Sequence, residues 1–294
     1  MPISTKTEEA IEKFNRLHSK EVYAEAVEES LRRLRVFFGG GVAESCCAAD
    51  YFEELAVILE EAHDVAYAAW SSSVSRNREP GFVVIYARLD FLEELRQVIE
   101  EVRPSVDARM REFEAIGGRM DPDEIFSELC FCILTANYTA EGGIRIQRAL
   151  GQHFRSKPMH ELVECLRSLG HRFPNKRAEF ICGARQLYGG VLQALKMEDF
   201  EAREWLVENV RGLGYKEASH FLRNIGRKDL AIIDRHILHF LDQKGLIDSI
   251  PRTLSRMAYL SIERLLSAIA RSMNVSLAEL DLYLWYVMTG KVLK

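Results

Sequence analysis

The stretch Val210-Arg-Gly-Leu-Gly-Tyr-Lys-Glu-Ala-Ser-His-Phe-Leu222 constrains the fold of this chain more than any other. An apolar helix end, Trp205-Leu206-Val207, runs into Gly212-Leu213-Gly214, and a second helix starts directly after it. Two glycines two positions apart permit a tight turn at positive φ and let another backbone or a phosphate come close. The first N–H groups of the second helix have no intrahelical partners and are available to an anion. Two helices joined in this way form a sequence-independent anchor for a DNA phosphate. The same glycines also suit an ordinary connection between helices, so the turn alone leaves both readings open.

Lys216 adds chemistry. It falls in the first turn of the second helix. There the positive end of the helix dipole disfavours a protonated amine, and a neutral amine is what a nucleophilic lysine needs. A solvated surface lysine is the competing reading. Asp234 follows 18 residues later in Leu230-Ala-Ile-Ile-Asp-Arg-His-Ile237, with apolar residues before it and a helix after it. This is the pattern of an N-cap. Beside a reactive lysine the same carboxylate has further uses: it can help activate the amine, and it can stabilise positive charge growing on a sugar.

The rest of the chain reads as helical almost throughout. In segment 48–70, Phe52, Leu55, Leu59, Ala62, Val65 and Ala66 follow the three/four spacing of one helix face. Segment 7–37 is similar but less regular. Residues 71–80 form a loop by composition. Gly81-Phe-Val-Val-Ile-Tyr86 reads as a strand or as the start of a helix running to Val102, and the charged continuation favours helix. Pro104 marks an expected boundary. Beyond it, Ile125, Leu129, Cys132 and Ile133 share the face of a core helix over 123–135. Further helices are expected around 141–154, 158–168, 175–188, 198–209, 216–225 and 234–244, with a helical C-terminal region.

Composition sets the outer limits. The 294 residues suffice for two domains, and with 48% of them hydrophobic the chain can bury a sizeable core. The apolar runs are too short for a membrane span, and the start, Met1-Pro-Ile-Ser-Thr-Lys, has no secretory pattern. An intracellular protein is expected, in the cytoplasm and with no membrane partner. The net charge of −5 argues against nucleic acid until it is divided. Residues 1–104 carry 12 Lys and Arg against 20 Asp and Glu, net −8, whereas residues 105–294 carry 27 against 24, net +3. Cys46, Cys47, Cys130, Cys132, Cys165 and Cys182 match no zinc or disulfide spacing and read as reduced thiols, mostly buried. His236 and His239 lie three apart on one helix but lack companion ligands, so no metal site is expected.

Gly-Leu-Gly-Tyr-Lys216 followed by Ile-Ile-Asp234-Arg-His-Ile resembles the helix–hairpin–helix superfamily of base-excision DNA glycosylases. Phe131-Cys-Ile-Leu-Thr-Ala-Asn-Tyr-Thr-Ala140, Leu169-Gly-His-Arg-Phe-Pro-Asn-Lys-Arg-Ala178, Gly214–Asn224 and Leu282–Lys294 narrow this further. Their sequence is similar to that of the archaeal-type (second class) 8-oxoguanine DNA glycosylase/AP lyases over roughly 105–294. The resemblance implies an all-α, two-subdomain helix–hairpin–helix glycosylase fold. Residues 1–104 would then be an additional acidic, mostly helical N-terminal extension, a departure from a class that is usually compact. It implies a partner, double-stranded DNA containing 8-oxoguanine, whose lesion is flipped into a pocket. By motif, Lys216 attacks C1′ and forms a Schiff base, β-elimination nicks the strand, and Asp234 assists. Phe173 and Trp285 sandwich the base, and Lys294 helps to tell it from guanine. Asn137 fills the gap in the duplex or reads the opposite base. Gly212 and Gly214 meet the DNA backbone. Arg172, with Lys176 and Arg177, forms a basic cluster beside the pocket motif that binds phosphate or is a solvated face. No iron–sulfur cluster is expected, because no cysteine follows Cys182. No cofactor is implied beyond a monovalent cation that the hairpin carbonyls can hold in some superfamily members. Two alternatives stand beside this reading. One is a monofunctional glycosylase for another lesion, using Asp234 and water. The other is a non-catalytic DNA-binding module.

Overall fold

The structure is a computed structural model that describes residues 67–71, 81–85, 89–244, 246, 247 and 250–294. In chain order these form strands β1 (Tyr67–Ser71) and β2 (Gly81–Ile85) and a series of helices. The helices are α1 (Leu89–Arg119), α2 (Pro122–Thr135), α3 (Ala140–Leu150), α4 (His153–Ser156), α5 (Met159–Ser168), α6 (Pro174–Gln186) and α7 (Tyr188–Ala194). They continue with α8 (Asp199–Asn209), α9 (Tyr215–Asn224), α10 (Arg235–Gln243), α11 (Arg256–Ser272) and α12 (Leu277–Thr289). The chain divides into two compact units, residues 1–100 with 235–275 and residues 101–234 with 276–294. No helix among the described residues is long and apolar enough to cross a membrane.

Three expectations are corrected or completed here. Residues 81–85 form a strand, antiparallel to β1 with Tyr67 opposite Ile85, and the helix is described over Leu89–Arg119. Residues 67–70, placed at the end of a helical segment, belong to β1 instead, because Tyr67-Ala-Ala-Trp70 has a partner strand to pair with. Segments 7–37 and 48–66 lie outside the described residues. Pro104 ends nothing, since α1 passes straight through it. A mid-helix proline loses one hydrogen bond and crowds the preceding turn, at a cost of about 3 kcal/mol. The apolar stripe Leu95, Ile99, Val102, Val106, Met110 and Phe113, buried on both sides of the proline, outweighs that cost.

In the larger unit α2 is the central element. Asp121 caps it by accepting from the N–H groups of Asp123 (3.0 Å) and Glu124 (2.9 Å), and Pro122 starts it. From Ile125 to Thr135 nearly every side chain is buried, so this is a helix that is covered all round rather than along one face. Gly143 brings α3 tight against it, because a Cβ there would stand 2.5 Å from Thr135 Cγ2. Phe154, Leu162, Leu166, Ile181, Leu206, Phe221 and Leu222 complete this core. The other unit buries Ile237, Leu241, Tyr259, Leu266 and Ile269 along α10 and α11.

Candidate active site

The hairpin forms as the glycines require, with one difference between them. Gly212 has φ +95, and a Cβ there would stand 2.5 Å from Phe180 Cδ2 on α6, so both backbone and space demand glycine. Gly214 is extended (φ −101, ψ −172) and serves as the N-cap of α9. Its N–H donates to Glu217 Oε2 at 3.2 Å. That N–H is therefore already paired, and of the two glycines it is Gly212 that takes the positive φ of the turn. Tyr215 is held by a 2.6 Å bond from its hydroxyl to Glu204 and lies against the fully buried Arg203 guanidinium, 5.4 Å from its ring.

Lys216 is half-buried in the first turn of α9, as its sequence position predicts. His220 stands one turn further and Arg223 nearly two turns further, and this spacing puts all three on one helix face. His220 is buried, edge-on to the Phe131 ring at 5.5 Å. Among the described residues neither of its ring nitrogens has a hydrogen-bond partner. Burial first, then the positive charges of Arg223, Lys216 and Lys294, holds it well below the ordinary histidine range. The ring is therefore neutral in the folded protein but gains a proton below about pH 6.5 once the chain unfolds. Stability from this residue is complete above that pH and is lost as the pH falls. Replacing His220 by Phe removes the term. The variant's stability relative to wild type is expected to rise by about 2 kcal/mol between pH 7 and pH 5, readable from urea unfolding at each pH.

Asp234 is half-buried and immediately precedes α10. The buried run Leu230-Ala-Ile-Ile233 fixes the chain ahead of it. The charges of Asp234 and Lys216 both reach Asp281 on α12, and those of Lys216 and Lys294 both reach Cys132 on α2. Lys216 thus shares a neighbour, Asp281, with Asp234 and two neighbours, Cys132 and His220, with Lys294, which lies 78 positions further along the chain. Lys294 Nζ lies 2.6 Å from Glu128 Oε1 and 4.6 Å above the Phe131 ring. Glu128 is buried and also accepts from Gln147 Nε2 (2.9 Å) and Asn224 Nδ2 (3.0 Å).

Phe173 caps α6 and is 40% exposed, a large apolar ring left facing solvent, with the Arg172 guanidinium 5.0 Å over it. Its N–H donates to His171 Nδ1 at 3.0 Å. Nδ1 must therefore be unprotonated, which leaves Nε2–H to donate to the Leu134 carbonyl at 3.0 Å. One buried histidine thus ties Phe173 to the end of α2. Asn137 follows α2, exposed and left-handed at φ +57, a conformation asparagine tolerates. Trp285 is half-buried on α12. The basic cluster keeps two exposed members, Arg172 and Lys176, and loses the third to the interior. Arg177 is buried and donates to the Ala136 carbonyl, Lys176 pairs with Glu179 at 3.0 Å, and only Arg172 keeps its place beside Phe173. Cys130 and Cys132 are buried free thiols whose ionisation burial opposes. His236 and His239 are exposed, and no group of three metal-ligating side chains occurs among the described residues.

The family model described as 8-oxoguanine DNA glycosylase matches residues 106–275. The chain belongs to the 8-oxoguanine DNA glycosylase family. Among its relatives, the 8-oxoguanine DNA glycosylase/AP lyase of Methanocaldococcus jannaschii is 52% identical over 205 residues, covering 69% of this chain and 97% of the relative. That of Thermotoga maritima is 47% identical over 203 residues, covering 69% and 98%. Solved structures agree. The Thermotoga maritima 8-oxoguanine DNA glycosylase superposes with a TM-score of 0.68, covering 70% of this chain and 99% of that one. The Methanocaldococcus jannaschii enzyme in complex with a 15mer DNA containing 8-oxoguanine gives 0.68 at 50% identity, covering 70% and 100%. The family's members are thus matched almost whole, while about three-tenths of this chain lies outside the match. The helix–hairpin–helix fold read from the motifs is the observed one, all-α from Leu89 onward, with the β1–β2 pair ahead of it.

Sequence reasoning passed over His171, His220, Glu128 and Asp281. The first two had a signal, a histidine beside each motif's key residue, but histidines of that kind are common in cores. The two acids had none, because their partners are far away in sequence.

Proposed function

We propose that this chain excises 8-oxoguanine from double-stranded DNA and then nicks the strand. In this reading residues 105–294 carry the activity and residues 1–104 are an acidic extension to it. The observation that carries the proposal is Lys216, half-buried in the first turn of the helix that follows the hairpin, in a chain that belongs to the 8-oxoguanine DNA glycosylase family.

The hairpin turn and Arg172 take the phosphates, and Asn137 enters the space the flipped nucleotide leaves. Phe173 and Trp285 stack on the base from either side. The Lys216 amine attacks C1′ while Asp234 stabilises the positive sugar, and the base departs. The resulting Schiff base acidifies C2′–H, and β-elimination breaks the strand on the 3′ side. Lys294, fixed by Glu128, takes part in distinguishing 8-oxoguanine, whose N7–H donates, from guanine, whose N7 accepts, a difference that a hydrogen-bond acceptor placed against N7 reads. The relatives named above are archaeal and bacterial, and in such cells the DNA lies in the cytoplasm, where we place this chain too.

The test is a nicking assay with the full chain on duplexes carrying 8-oxoguanine opposite each of the four bases, beside an undamaged duplex. Nicking confined to the damaged strand is the expected result. Release of the base without any nick would sink the lyase half, and no release of any modified base would sink the whole reading.

A further inference from the structure

The loop between α5 and α6, residues 169–173, is tied to the end of α2 and to α3 by a set of hydrogen bonds. The Tyr138 hydroxyl donates to the Gly170 carbonyl at 3.0 Å, and Arg145 Nη2 donates to the Leu169 carbonyl at 3.0 Å. Arg177, at the start of α6, donates to the Ala136 carbonyl. His171 sits among these bonds. It is 4% exposed, and its ring lies against that of Tyr138 with 4.3 Å between centroids. Its Nε2–H reaches Leu134 on α2 and its Nδ1 accepts the Phe173 N–H, each at 3.0 Å. Burial first, with the Arg177 charge adding to it, outweighs the pull of the Leu134 carbonyl and holds the ring below the ordinary histidine range. The ring is therefore neutral at pH 7, and Nδ1 stays an acceptor. Phe173 has need of such a tie. It is the N-cap of α6, with a non-helical backbone (φ −129, ψ 60) and no side-chain cap. Its exposed ring lacks the close packing that fixes an aromatic side chain in a core, and the Arg172 guanidinium lies over it. The backbone beneath the ring has to place it, and His171 bonds that backbone to a helix that is buried all round.

We propose that His171 is a positioning residue for base removal: by holding the Phe173 N–H to the end of α2, it sets where the Phe173 ring stands when the flipped base stacks on it. The inference rests on the reading of Phe173 as one of the two stacking rings. His171 touches neither base nor sugar in this role and acts through Phe173 alone. A stacking ring contributes only while a base is there to be held, so His171 serves the step in which the base departs. It has no part in the attack of the amine on a sugar that has already lost its base. A displacement of about 1 Å in a group that orients the reacting partner can slow a reaction by about 10²-fold, and that is the scale on which losing the tie should be felt.

The test is single-turnover kinetics with the full chain at pH 7, measuring base release from 8-oxoguanine duplex and borohydride trapping on abasic-site duplex. His171→Leu keeps an apolar side chain against Tyr138 but bonds to neither Leu134 nor Phe173. It is expected to slow base release by roughly 10- to 10²-fold and to leave abasic-site trapping within a few-fold of wild type. The double variant His171→Leu with Phe173→Ala is expected to release base no more slowly than Phe173→Ala alone, because the histidine acts through that ring. Losses that multiply in the double variant overturn the proposal, as does an equal loss on both substrates, which general damage to the fold would cause. Should His171→Leu fail to fold by circular dichroism, His171→Asn and His171→Gln carry the test. The asparagine amide can accept the N–H two residues on, as in an Asx turn, whereas the longer glutamine reaches toward Leu134 and leaves that N–H unpaired. Base release about 10-fold faster in the asparagine variant, with abasic-site trapping alike in both, supports the assignment; equal release in the two overturns it. Phe173→Ala at the wild-type rate would overturn the stacking reading beneath the proposal, whereas a slow Phe173→Ala beside a fast His171→Leu would overturn the role of His171 alone, so the two failures are distinguishable.

Discussion

Lys216→Gln is expected to abolish borohydride trapping and to lower strand nicking on 8-oxoguanine duplex by about 10³-fold or more. Glutamine keeps the length and polarity of the side chain but has no amine to form a Schiff base. The substitution is half-buried in the first turn of α9, where Glu217 holds the Gly214 N–H and Tyr215 is bonded to Glu204. None of those bonds involves the lysine amine, so the hairpin should survive, and binding to damaged duplex is expected to stay within a few-fold of wild type. Asp234→Asn should behave differently. A carboxylate that stabilises the cationic sugar matters while the base departs, so base release should fall by roughly 10²- to 10³-fold. Schiff-base formation on an abasic site, where the base is already gone, should fall much less. Measuring both substrates in parallel assigns the two residues to separate steps. Equal loss on both substrates would place Asp234 at the amine rather than at the sugar.

The second large effect concerns Glu128. Glu128→Ala is expected to destabilise the protein by about 3–5 kcal/mol, because it strands the Lys294 ammonium and removes the acceptor for two further side chains. For a unit of this size that is a drop of roughly 10 °C in the thermal midpoint. Lys294→Met should cost far less stability, since Glu128 keeps its bonds from Gln147 and Asn224. Its effect should fall on specificity instead, as a reduced preference for 8-oxoguanine over guanine in the nicking assay. The double variant Glu128→Gln with Lys294→Met removes both charges together. It should recover most of the stability of Glu128→Ala without recovering the preference. Full stability in Glu128→Ala would show that the pair is solvated and that Lys294 is placed by other contacts.

The sequence by itself determined the hairpin, its lysine and its distal aspartate. These signals are local: a Gly-x-Gly turn between two helices, a cation where a helix dipole opposes it, an acid ahead of a helix. It also carried enough of the family's motifs, in order, to point to the base that is removed, and the helix periods over 122–289 set the class of fold. Where local rules compete with tertiary burial they failed, as at Pro104, whose cost in α1 is outweighed by a continuous buried stripe, and at residues 67–70, where pairing with β2 outweighs helical spacing. Of the basic cluster, the chain buries Arg177 under the Ala136 carbonyl and leaves Arg172 and Lys176 exposed, and composition cannot show which of three neighbouring cations turns inward. Only the tertiary structure joined Glu128 to Lys294 across 166 residues, and His171 to Leu134 across 37. It also brought Asp281 to Arg223 and into the field of Lys216 and Asp234. A buried charge or ring nitrogen draws its meaning from partners supplied by other helices, and their proximity is a property of packing, which no window of sequence contains.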